Sequence, residues 1–238
     1  MSRPSDFRRQ LQEAVDPFDQ SRHPFVDKWE AGQIKRESVA GAITEIWHWI
    51  SNLIPEAILN IAAKAPQDVI DMEVENYQEE LNPANPHPEL ILRFAEACGI
   101  KRAALKASRG LPTTEAWLEW ELQTTREQPW IASCAAVHIS SEAQEPRLMN
   151  RILPALRNTY KFGEHDLEFW WLHAGADIEH GGRAFELLAR HCDTREKQDM
   201  ALHWAREGAR RKYFFWDGIN LHYEVGYSLR GPADAAAA

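Results

Sequence analysis

The chain has 238 residues, with 27 Lys and Arg against 36 Asp and Glu and a formal charge of −9. At ~150 residues per domain this allows one large core, and an acidic balance without any basic block argues against nucleic acid or an anionic membrane as the main partner. A hydrophobic share of 44% and a charged share of 26% are those of an ordinary folded chain. No stretch approaches the ~18 apolar residues of a membrane span, and the N-terminus lacks the apolar core of a signal peptide, so a soluble cytoplasmic protein is expected.

The apolar period is helical almost throughout, and no alternating strand pattern competes with it, so the expected class is all-α, one domain over residues 1–230. In chain order, a helix is expected over 6–15, and a short one over 25–29 follows the break at His23-Pro24. A long one over 36–63 contains Pro55, which removes a backbone donor and should kink or restart it. Pro66 suits the first turn of the next, which runs to about Leu81. The run Asn82-Pro83-Ala84-Asn85-Pro86 cannot continue a helix, and His87-Pro88-Glu89 reads as the start of another that ends at Gly99.

Pro112 opens a Trp-rich helix, and Pro129 opens one that carries Cys134, His138 and Glu142 toward Tyr160 with a bend at Pro146. A further helix is expected over 164–192. The last runs to about Tyr227, opened by Asp193-Thr194-Arg195-Glu196, which has the spacing of a capping box. The Ala-rich tail, 231–238, is expected to be disordered.

Three scattered cysteines, Cys98, Cys134 and Cys192, make neither a disulfide framework nor a thiolate metal site. Ten tryptophans and ten histidines stand out instead. His173, Asp177 and His180 fall at about 0°, 40° and −20° around one helix, so three metal-competent side chains share a face. Ala174, Gly175, Ala176, Gly181 and Gly182 beside them leave room for an ion, although a polar stripe facing solvent has the same spacing.

Glu80 and His87 flank the proline turn, which can bring a carboxylate and an imidazole to one point, and Glu142 is a third source. Together Glu80, His87, Glu142, His173, Asp177 and His180 make a hard-to-borderline donor set suited to two iron or manganese ions sharing carboxylates, with zinc the weaker candidate.

The runs Asn76-Tyr77-Gln78-Glu79-Glu80, His87-Pro88-Glu89-Leu90 and Phe94-Ala95-Glu96-Ala97-Cys98-Gly99-Ile100 resemble the signature of the haem-oxygenase-like superfamily that includes TenA, PqqC and CADD. Glu142-Ala143-Gln144-Glu145-Pro146-Arg147 is similar to its Glu-x-x-x-Pro element, and His173-x-x-x-Asp177-x-x-His180 to its last metal helix. The resemblance spans about residues 22–227. It implies a haem-oxygenase-like up-down helical bundle and, because the six ligand positions are filled, membership of the diiron oxidases and oxygenases of that group.

That resemblance in turn implies two Fe(II) ions, with manganese open, and O2 as co-substrate. The substrate it implies is a small carboxylate, for which an amino-acid-derived one is the preferred expectation. An electron donor and a homodimer are left open. It also has gaps. Val26 stands where the self-consuming p-aminobenzoate synthases of the group have their sacrificed tyrosine, and Ile152 where they have a lysine.

Other residues carry weaker readings. His138 is either a group behind the ligands or a satisfied core histidine, and Arg210 and Arg211 are candidate partners for a substrate carboxylate. Glu79 and Glu145 replace Glu80 and Glu142 if the register is off. Cys134 is a nucleophile in a TenA-like hydrolase and packing otherwise. The alternatives to the diiron reading are a PqqC-like cofactorless oxidase, that hydrolase, and a helical interaction protein with a vestigial site.

Overall fold

Proline placement explains most of the helix starts. The computed structural model describes residues 4–231, the side chains of residues 4, 5, 52 and 176–181 excepted. The elements are α1 (Pro4–Val15), α2 (Pro24–Glu30), α3 (Arg36–His48), α4 (Ile54–Ala62), α5 (Gln67–Glu80) and α6 (His87–Ala97). There follow α7 (Arg102–Ala107), α8 (Pro112–Glu127), α9 (Trp130–Cys134), α10 (Glu145–Asn158), α11 (Glu168–His191) and α12 (Arg195–Ile219). Pro24, Pro55, Pro88, Pro112 and Pro146 occupy first-turn positions, where the missing N–H has no helical partner to lose.

Two expected long helices are interrupted. The 36–63 segment divides into α3 and α4 around a π-helical stretch, Trp49–Leu53, which accommodates Pro55. The 129–160 segment divides further, into α9, a π turn at Ala135–Ile139, a 3-10 turn at Glu142–Gln144, and α10. Pro146 lacks the N–H that would bond the Glu142 carbonyl, and its ring would meet that carbonyl in a regular helix, so the break falls at Glu142. The final cap also shifts by one residue. Thr194, not Asp193, caps α12 by accepting from the Lys197 amide, while Asp193 pairs with the Lys197 ammonium. The short helix α7 had no expectation attached to it.

Helices α10 and α11 lie side by side, α12 packs on α1, α8 and the 135–139 turn, and α4 packs on α5 and α8. Many of the tryptophans serve this packing. A continuous run of ring contacts passes from Phe94 through Trp170, Trp29, Phe25, Trp216, Phe215 and Trp117 to Trp49, with neighbouring centroids 5.0 to 6.0 Å apart. Each such pair adds about 0.5–1.5 kcal/mol beyond its burial, and the run ties α6, α11, α2, α12, α8 and the 49–53 turn into one core. Among the described residues no helix is long and apolar enough to cross a membrane.

Gly208 sets the distance between α12 and the 135–139 turn. A Cβ there would lie 2.7 Å from the Ala136 carbonyl oxygen and 2.4 Å from Ser140 Oγ, whereas one at Gly175 on α11 would meet nothing within 4 Å. Gly208→Ala is therefore expected to lower unfolding free energy by roughly 1–3 kcal/mol through overpacking. Gly175→Ala is expected to raise it by about 0.5–1 kcal/mol through helix propensity. Urea titration of the two variants checks both signs.

Candidate metal centre

The turn between α5 and α6 builds the first half of the site. Asn82 Oδ1 accepts from the Ala84 amide at 3.0 Å and the Asn82 carbonyl from Asn85 at 3.0 Å, folding the proline-rich link back on itself. Glu80, the last residue of α5, then meets His87, the first of α6, with Oε2 2.9 Å from Nδ1. His173 comes from α11. Its Nδ1–H donates to the Phe169 carbonyl at 2.7 Å, which makes Nε2 the lone-pair nitrogen, and its ring meets that of His87 edge-on at 4.6 Å. The register of α11 on α6 is held by Glu168, which accepts from Asn85 at 2.9 Å and from Arg93 at 2.5 Å.

One donor atom from each of Glu80, His87 and His173 falls within 4.8 Å of the others. Glu80 Oε2 and His87 Nδ1 are buried and make no hydrogen bond despite their proximity. Two lone pairs that face one point at this distance match two ligands of an ion with ~2.1 Å bonds, which at a right angle lie about 3.0 Å apart. Glu79 is exposed, whereas Glu80 faces His87. The side chains of Asp177 and His180 lie outside the described residues.

Glu142 is placed by the π and 3-10 turns that precede α10, and these turns pack against α11. It does not join the three-residue cluster. Its Oε2 accepts instead from His138 Nδ1 at 2.5 Å, while His138 Nε2 donates to Glu73 Oε1 at 2.8 Å. The π turn matters here, because it rotates His138 between α5, which supplies Glu73, and the Glu142 turn. Burial opposes charging of this ring, but the carboxylates of Glu142 and Glu73 on either side hold its pKa well above the usual histidine value. His138 is thus an imidazolium with both protons engaged.

Glu73 went unnoticed in the sequence, where it is one acidic residue in a run of them. The signal was its position seven residues before Glu80, on the same face of α5. Glu145, the other alternative to Glu142, accepts from Gln20 at 2.8 Å and faces the Lys212 ammonium at 3.5 Å. Arg210 and Arg211 both pair with Glu207, and Arg211 also lies over Trp120. Burial pushes the Cys134 thiol up to about 12, which leaves it inert at neutral pH.

The profile of a family described as iron-containing redox enzymes matches residues 54–213. The chain belongs to this family. It is 25% identical over 230 residues to a 4-aminobenzoate synthase of Nitrosomonas europaea, covering 91% of this chain and 92% of that one. It is 22% identical over 216 residues to a 4-aminobenzoate synthase of Chlamydia muridarum, with 90% of each covered. In three dimensions it is similar to a domain of unknown function with a haem-oxygenase-like fold from Shewanella denitrificans, at a TM-score of 0.77 and 17% identity, covering 97% of this chain and 99% of that one. A TenA homologue from Pyrococcus horikoshii is similar at 0.72 and 14% identity, with 92% and 98% covered. The bundle is therefore the haem-oxygenase-like fold, and the protein is an iron-containing redox enzyme.

Replacing His87 or His173 with Ala is expected to abolish retention of iron by the cluster, read as metal per chain after ferrous loading and desalting. Glu73→Gln keeps every ligand but weakens the hold of His138 on Glu142. It is expected to lower iron affinity by about 10-fold to 100-fold, the usual range for groups that orient ligands.

Proposed function

We propose that the protein is a non-haem diiron oxidase or oxygenase that uses O2 to oxidise a small carboxylate, with an amino-acid-derived acid as the preferred class. The observation that carries this reading is the convergence of Glu80, His87 and His173 in a chain of an iron-containing redox family. Glu142 approaches α11 from the opposite turn, and with Asp177 and His180 of that helix it would supply the donors for a second ion. Two Fe(II) ions, when bound, supply the redox chemistry toward O2, and the chain supplies the rest.

Glu73 and His138 hold the Glu142 carboxylate in one orientation, and the proton at His138 Nδ1 balances its charge. His173 is locked into the Nε2 tautomer by the Phe169 carbonyl. Trp170 and Phe169, next to His173, keep that side of the site dry. None of these groups acts as a nucleophile. The inert Cys134 thiol speaks against a TenA-like hydrolase.

Self-consumption is disfavoured by the chain itself. Val26 and Ile152 are both fully buried aliphatic residues, so neither position offers a phenol or an amine to be spent. The relatives named 4-aminobenzoate synthase therefore support the metal chemistry more than the substrate. An external acid, with an electron donor where the substrate does not provide all the electrons, completes the cycle.

Stopped-flow absorption of the anaerobically iron-loaded chain mixed with O2, with and without candidate acids, tests the reading. The expected result is close to two irons per chain and a transient visible band whose decay one acid accelerates. Iron well below two per chain with no O2-dependent change would sink it, and activity that survives exhaustive chelation would favour the cofactorless alternative.

A further inference from the structure

Helix α11 packs mainly on α10, on α1 and on the turns that precede α10, and only lightly on α5 and α6. Yet α5 and α6 carry Glu80 and His87, while α11 carries His173. The three donors are therefore divided between helices that share little packing, although distances to a bound ion hold to about 0.2 Å. Where α11 meets α6, Phe94 and Trp170 lie 5.2 Å apart between ring centroids. Apolar contact of this kind is non-directional and permits sliding along the helix axis. A specific link has to fix the register.

Glu168 supplies such a link, five residues or about 7.5 Å of helix before His173. Its Oε1 accepts from Asn85 Nδ2 at 2.9 Å and its Oε2 from Arg93 Nη2 at 2.5 Å. Asn85 belongs to the turn that joins Glu80 to His87, and Arg93 lies on α6 itself. One carboxylate thus grips the other half of the site at two points. Burial works against its charged form, but the hydrogen bonds from Arg93 and Asn85 hold the Glu168 carboxyl below the usual carboxylate range. The pair is mostly enclosed, at 19% and 22% side-chain exposure, and Arg93 Nε is buried with no hydrogen-bond partner among the described residues. Desolvation offsets much of the attraction in such a pair, so it adds little net stability and chiefly selects one register. The other polar links from α11 to α5 lie farther along the helix. Arg183 pairs with Glu75, and Asp68 meets Arg190 at 2.8 Å and His191 at 3.0 Å, the last two roughly 33 Å along α11 from Glu168.

We infer that Glu168 is a positioning residue for the iron site. By joining Asn85 and Arg93 it sets His173 at bonding distance from an ion held by Glu80 and His87, so the Glu168–Arg93 pair and iron binding are coupled. This inference rests on the iron reading of the cluster and adds the residue pair that aligns its two halves.

The test is equilibrium Fe(II) binding to the metal-free full chain under anaerobic conditions, with the melting of each metal-free variant recorded alongside. Glu168→Gln and Arg93→Met should each weaken Fe(II) binding roughly 10-fold, an ordinary coupling between linked sites. Their shared sign is decisive. A pair acting through charge alone would move the two variants apart, because Arg93→Met removes a repelling cation and would tighten the ion. The double variant should bind about as weakly as either single one, since one change already breaks the link. Asp68→Asn, which breaks the links at the far end of α11, should lower the melting temperature and leave Fe(II) affinity unchanged. The visible absorption of the Co(II)-loaded chain, which reads ligand geometry, should shift in Glu168→Gln and Arg93→Met but not in Asp68→Asn. Unchanged affinity in Glu168→Gln, tighter binding in Arg93→Met, or equal weakening in Asp68→Asn would overturn the inference alone. A wild-type chain that takes up no Fe(II) would overturn it together with the oxidase reading, whereas coupled Fe(II) binding without O2 chemistry would sink the oxidase reading and leave the inference standing.

Discussion

Carboxylates buried in a bundle lined by aromatic rings are costly unless they meet donors, and meeting that cost organises much of the centre of this protein. Glu142 and Glu73 share the two protons of His138, and Glu145 shares Gln20 and Lys212. Removing one member of such a set leaves a charge stranded in low dielectric, so the members hold one another in place. Gln20 extends the network outward by accepting from the Trp216 indole at 2.9 Å and so joins the polar interior to the aromatic run. The Glu80, His87 and His173 group differs in kind. Its donor atoms, one from each residue, lie within 4.8 Å of one another, which is the arrangement of ligands that an ion completes.

Irregular helix geometry makes this interior accessible. A regular α-helix from Pro129 to Tyr160 would place Pro146 against the Glu142 carbonyl. The π turn and 3-10 turn relieve that conflict and aim His138 and Glu142 inward within five residues of each other. The same logic applies at Trp49–Leu53, where the turn that admits Pro55 also delivers Trp49 over the Lys212 ammonium. These two departures from helical regularity thus coincide with the polar interior, whereas a third π turn, Asn220–Val225, buries none of its residues.

The fold is shared with proteins of several activities, and fold alone chooses none of them. This chain combines a candidate donor set at the α5–α6 turn and α11 with membership of an iron-containing redox family.

The sequence by itself determined the helical class, nearly all the helix starts and the chemistry of the donor set. Those features are written in short-range patterns: apolar residues three and four apart, prolines at first turns, and Glu80 and His87 on either side of a turn that can only reverse. Tertiary structure decided the rest. It showed that Glu73 completes the His138–Glu142 pair across 65 residues of chain, that Glu80 rather than Glu79 turns inward, and that Arg210 and Arg211 serve Glu207. Contacts between helices depend on how whole faces rotate against one another, and π turns change that rotation by adding a residue that no periodicity announces.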